Sequence, residues 1–119
     1  MGRKLPVVEV AGICFYIDVM REELRQVDNS KNTISFNFFR QEGDGYVFLY
    51  DVGARRARQR NEEFDGAVVC WAMLPALMEL DPQGLADKYD IPIEELCPDK
   101  SFYPPQRVTA RLIPFETEI

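Results

Sequence analysis

Histidine is missing from all 119 residues, which removes the side chain most often used near neutral pH for acid–base catalysis, nucleophile activation and metal ligation. Cysteine is scarce. Cys14, Cys70 and Cys97 are odd in number and far apart, with neither the CxxC spacing of a zinc or redox site nor the density of a secreted disulfide scaffold, a pattern that fits a reducing compartment. No apolar run approaches the roughly 20 residues that span a bilayer. Glu9 interrupts Leu5 to Val10, the stretch closest to the apolar region of a signal peptide. A cytoplasmic protein without a membrane segment is therefore expected. The chain also lacks GxxxxGK[ST], GxGxxG, EF-hand spacing and GxSxG, so no cofactor and no metal are expected.

What is present is core material and charge. The chain is 46% hydrophobic, with eight Phe, five Tyr and one Trp, enough for one core and consistent with a single domain over residues 1–119. Net charge is −6 but uneven: residues 1–61 sum to +2 and residues 62–119 to −8, which makes a dipolar molecule if the halves present different surfaces.

Hydrophobic periodicity organises the chain. In Ile13 to Val19, Ile13, Phe15, Ile17 and Val19 share one face, the period of two of a half-buried strand. With Val7 to Val10 and the tight Ala11-Gly12 connection this reads as a β-hairpin. Met20 to Val27 reads as a strand or short turn, and Asp28 to Asn32 as a polar loop. Ser35 is placed to cap one helical turn through Arg40. Gly43-Asp44-Gly45 reads as a hairpin turn before the strand Tyr46 to Asp51, whose two apolar faces put it inside a sheet. Ala67 to Leu74 is the best candidate for a central strand. Asp81-Pro82 pairs an N-cap with a preorganised first helical residue, Pro92 to Leu96 is a second short turn, and Arg107 to Ile113 is a last strand. The expected fold is α+β, an antiparallel or mixed sheet of about five to six strands with one or two short helices on one face.

Four arginines in six residues, Arg55, Arg56, Arg58 and Arg60, are the sharpest local feature. Guanidinium forks bind carboxylates or phosphates, and Tyr46 or Tyr50 on the preceding strand is in sequence range to stack a base. The bland alternative is a solvated loop paired with Glu62, Glu63 and Asp65, and the negative net charge opposes the counterion release that drives nucleic-acid binding. Residues 84–96 superficially resemble the opening of a bacterial helix-turn-helix. The second helix, however, would carry Glu94 and Glu95 and break at Pro98, so a helical cap on the sheet is the better reading. Cys97 follows Glu94 and Glu95, whose charge disfavours a thiolate. Asp18 and Asp51, each near a strand end, form a carboxylate pair only if the fold brings them together. Phe36, Phe38, Phe39, Phe102, Tyr103 and Phe115 either fill the core or form a partner surface or homodimer seam.

Leu5 to Gly12, Phe15 to Val19, Leu24 to Asn29 and Ile34 to Phe36, extended by Gly45-Tyr46 and Leu49 to Asp51, resemble small uncharacterised proteins of mobile elements of gut bacteria. That resemblance implies a bacterial cytoplasmic setting and an accessory role, and transfers no catalytic residue. The function expected is a non-enzymatic protein-interaction module, with self-association as a homodimer one form of it. The alternative is nucleic-acid or nucleotide binding through residues 55–60, and the third reading is a small hydrolase using carboxylates.

Overall fold

The expected opening hairpin is formed by Val7–Val10 (β1) and Ile13–Asp18 (β2), paired antiparallel with Val8 opposite Phe15. Ala11 and Gly12 turn the chain with positive φ. The computed structural model describes residues 4–59 and 66–117. Glu23–Gln26 (β3) continues the meander, and Asn29–Ser35 (β4) forms its edge. The polar loop expected over 28–32 is thus mostly strand. As an edge strand it keeps Asn29, Ser30 and Lys31 in solvent, so no apolar alternation marks it in the sequence. Ser35 Oγ accepts from the Asn37 N–H and caps a single 3-10 turn over Phe36–Phe38.

The second sheet is built around Gly45–Asp51 (β6). Val69–Leu74 (β8) lies along one side of it; Arg40–Glu42 (β5) and Arg56–Arg58 (β7) share the other. Glycine is required at position 45, where an added Cβ would overlap the Leu74 carbonyl oxygen. After β8 come three short helices, Leu77–Leu80 (α1), Pro82–Tyr89 (α2) and Ile93–Leu96 (α3). Asp81 caps α2 as expected, its Oδ1 accepting from the Gly84 N–H at 3.1 Å, and Pro82 follows at the first helical position. Replacing Asp81 with Ala is expected to lower stability by about 1–2 kcal/mol, read as a shift in the denaturation midpoint at unchanged slope.

The final strand differs from expectation in one respect. Arg107–Thr109 (β9) pairs parallel with β1, whereas Arg111–Pro114 (β10) pairs antiparallel with β8. The chain therefore crosses from one sheet to the other at buried Ala110, whose N–H still donates to the Glu9 carbonyl. The result is an α+β fold with, among the described residues, two five-stranded sheets, ordered β4-β3-β2-β1-β9 and β10-β8-β6-β5 with β7 also on β6. The sheets also approach through β4 and β7, where Asn32 Nδ2 donates to the Arg55 carbonyl at 2.7 Å.

Between the sheets, Val8, Val10, Phe15, Ile17, Leu24 and Ile34 of the first meet Phe48, Tyr50, Ala72 and Leu74 of the second. Leu80 joins this core from the helical segment, and Lys88 ties α2 to the turn between β2 and β3 through Glu22 at 3.3 Å. Burial of these side chains supplies the main driving force for folding. Phe36, Phe38 and Phe39 pack against the same core, Phe39 stacking on Phe36 at 4.9 Å and on Phe48 at 5.1 Å, so these three are core material. No helix among the described residues is long and apolar enough to cross a membrane.

Candidate functional site

The arginine segment folds as a hairpin. Strands β6 and β7 pair with Leu49 opposite Arg58, Tyr50 opposite Ala57 and Asp51 opposite Arg56, so Leu49, Asp51, Arg56 and Arg58 share the outer face of the second sheet. Asp51 organises the connecting turn although its residue is only 5% exposed. Its Oδ1 accepts from the Ala54 N–H at 3.0 Å, its carbonyl from the Arg55 N–H at 2.8 Å, and its Oδ2 from Arg58 Nη1 at 2.7 Å. The Ala54 hydrogen bond foremost, helped by Arg58, holds the Asp51 carboxyl below its ordinary pKa. Arg55 adopts a left-handed conformation with φ +57°, fixed further by the bond from Asn32.

The four arginines consequently divide. Arg55 and Arg56 are exposed at the hairpin tip, Arg58 is ion-paired with its side chain 12% exposed, and Arg60 lies outside the described residues. The tyrosines do not stand beside them as base-stacking platforms. Tyr50 points into the core and is fully buried, edge-on to Phe15 and Phe48, because it shares the Phe48 side of β6. Among the described residues its hydroxyl has no hydrogen-bond partner, and burial pushes the phenol up to about 12. Tyr46 is half-buried at the other end of the strand, against Phe39 at 5.9 Å. The reading of Tyr50 as a stacking residue is corrected by the sheet's alternation, which sends it inward.

Beside the hairpin, the same outer face carries a second apolar cluster of Val47, Leu49 and Trp71, with Met73, Ile113 and Phe115 against it. The Arg40 guanidinium lies 5.3 Å from the Trp71 ring centroid, and Trp71 Nε1 donates to the Phe115 carbonyl at 3.3 Å. A pocket of about 150 Å³ opens here, with Asn37, Arg40, Arg58 and Gln59 around a floor of Val47, Leu49 and Trp71. Arg40 also reaches Glu42 at 3.7 Å, an exposed contact worth about 0–1 kcal/mol. Sequence reasoning missed this site, because Arg40 and Trp71 are 31 positions apart and meet only through the pairing of β5 and β8 on either side of β6.

The other candidates separate. Asp18 lies on the outer face of the first sheet, where Arg25 Nη1 donates to it at 3.0 Å, and Asp51 lies on the outer face of the second, so the two carboxylates do not converge. Helix α3 is one turn long with Glu94 and Glu95 exposed, too short and too acidic to read a DNA groove. Cys14, Cys70 and Cys97 are free thiols. Among the described residues no three His, Cys, Asp or Glu side chains gather as a metal site. No protein-family model, curated protein or solved structure matches the chain.

Proposed function

We propose that the chain is a non-enzymatic protein-interaction module whose contact surface is the tip of the β6–β7 hairpin, led by Arg55 and Arg56. The observation that carries this reading is the anchoring of the Val52 to Arg55 turn. Asp51 and Asn32 hold its backbone from both sheets while the two arginines project into solvent. A preorganised turn loses little conformational entropy on binding, and its paired guanidiniums suit a carboxylate-bearing partner.

The partner is an acidic protein surface. The acidic helical segment of a second copy, with Asp87, Asp90, Glu94 and Glu95 exposed, satisfies the same chemistry and would give a self-associating form. The three free thiols support a reducing bacterial cytoplasm as the setting, and the resemblance to mobile-element proteins supports an accessory role. The nucleic-acid reading keeps Arg55 and Arg56 but loses Tyr50.

Capture from nuclease-treated bacterial lysate, followed by reconstitution with the purified captured protein, tests the proposal. The Arg55→Ala/Arg56→Ala variant is expected to weaken reconstituted binding about tenfold or more, with wild-type affinity falling as salt is raised. Material recovered only without nuclease would move the assignment to nucleic acid. Equal binding by variant and wild type would exclude the hairpin as the contact.

A further inference from the structure

We propose that the groove between the β1–β2 and β3–β4 turns receives a single apolar side chain of the partner, beside the carboxylates that meet Arg55 and Arg56. This inference rests on the protein-interaction reading and adds a second subsite to it. The groove has a volume of about 230 Å³ and is lined by Gly12, Ile13, Cys14, Val27 and Asp28. That is below the roughly 300 Å³ at which small-molecule sites begin, and suits one leucine-sized group. Its walls are mainly apolar. Val27 is 41% exposed in a turn, a place that polar residues and glycine ordinarily fill. The Val27 N–H donates to the Cys14 carbonyl at 2.9 Å, which continues the β2–β3 ladder beyond Gln26 and holds the two residues side by side. The mouth is open at Gly12, where an added Cβ would meet nothing within 4 Å among the described residues.

A chain of hydrogen bonds ties the groove to the arginine tip. Asp28 Oδ1 accepts from Gln26 Nε2 at 2.6 Å, Gln26 Oε1 from Asn32 Nδ2 at 2.9 Å, and the Arg55 carbonyl from the same Asn32 amide at 2.7 Å. Gln26 is only 3% exposed and both ends of its amide are engaged, so the chain acts as a fixed strut between the groove rim and the tip. Charge then sets which part of a partner goes where. Asp28 at the rim repels a carboxylate and leaves the groove to an uncharged group, whereas the exposed guanidiniums of Arg55 and Arg56 take the acidic residues. The feature recognised is therefore one apolar residue a few positions from acidic ones in an extended segment.

The full chain, labelled with nitrogen-15, is titrated with capped peptides in which one leucine and two glutamates are separated by one to four glycines, and the amide resonances are followed by NMR. The expected result is saturable shifts at Gly12, Cys14 and Val27, together with Ala54 and Arg55, for at least one spacing. Binding should be at least tenfold weaker when the leucine is replaced by glycine. Val27→Asp, at an exposed position, should also reduce affinity at least tenfold while its spectrum stays that of a folded chain, and Val27→Ile should retain affinity. No binding at any spacing, shifts that spare the groove, equal affinity with glycine or lysine in place of the leucine, or undiminished binding by Val27→Asp would each overturn the proposal. Groove shifts that grow with protein concentration in the absence of peptide would overturn it in favour of a second copy. The two readings fail separately. Loss of binding in Arg55→Ala/Arg56→Ala with none in Val27→Asp would reject the groove and leave the hairpin contact. Loss in Val27→Asp with none in the arginine variant would reject the hairpin contact and leave the groove standing.

Discussion

Replacing Asp51 with Ala is expected to cost about 3–5 kcal/mol, a large fraction of the stability of a domain this size. The loss has two sources. Arg58 is deprived of the carboxylate 2.7 Å away while its side chain stays largely buried, and the Ala54 N–H loses its acceptor at 3.0 Å. Asp51→Asn keeps an oxygen available to Ala54 and should fall between wild type and Asp51→Ala. The pH dependence has a defined sign. Because the folded-state pKa is depressed, the stabilisation from Asp51 is fully present above the unfolded value near 4 and is lost as pH falls through the folded value. Denaturant unfolding on descending pH should therefore weaken wild type below about pH 4 more than Asp51→Asn. Equal stability of Asp51→Ala and wild type at neutral pH would remove Asp51 from its organising role, and with it the argument that the hairpin is preorganised.

Tyr50→Phe should act in the opposite direction and raise stability by about 1–3 kcal/mol, because it deletes a buried hydroxyl that has no partner among the described residues while keeping the ring between Phe15 and Phe48. The effect should grow in alkali. With the folded phenol near 12 and the unfolded one near 10, the unfolded chain releases this proton first. Ionisation of Tyr50 leaves stability unchanged below about pH 10 and lowers it as pH rises toward 12, by up to about 3 kcal/mol in all. The phenylalanine variant should show a shallower alkaline decline than wild type. Destabilisation by this substitution would mean that the hydroxyl contributes a bond in the folded protein.

These two residues also mark the boundary of what could be read in advance. Alternation in Ile13 to Val19 identified the hairpin and its inner face, and local cap chemistry identified Ser35 and Asp81, because those signals act within a few residues. Both faces of β6 are apolar, Phe48 and Tyr50 on one and Val47 and Leu49 on the other, since the main core lies on one side and the Trp71 cluster on the other. Nothing local says which is inward, and the Tyr50 assignment failed there. Strand β4 was hidden by its polar exposed residues, and β7 by its length of three. The passage between sheets at Ala110 leaves the periodicity of residues 107–113 intact, so two sheets were read as one. The arginine segment was legible as a cluster, but its division into tip and ion pair depends on which side of β6 each residue opposes.

The strand that crosses at Ala110 has a consequence for synthesis. Strands β9 and β10 complete the two sheets along β1 and β8, yet they are the last strands in chain order. Until residues 107–114 leave the ribosome, a nascent chain carries two half-built sheets with β1 and β8 each lacking a neighbour, edges of the kind that recruit foreign strands. Folding is thereby coupled to the emergence of a single late segment, and a chain truncated before it should be a substrate for chaperones or proteases rather than a partly working protein.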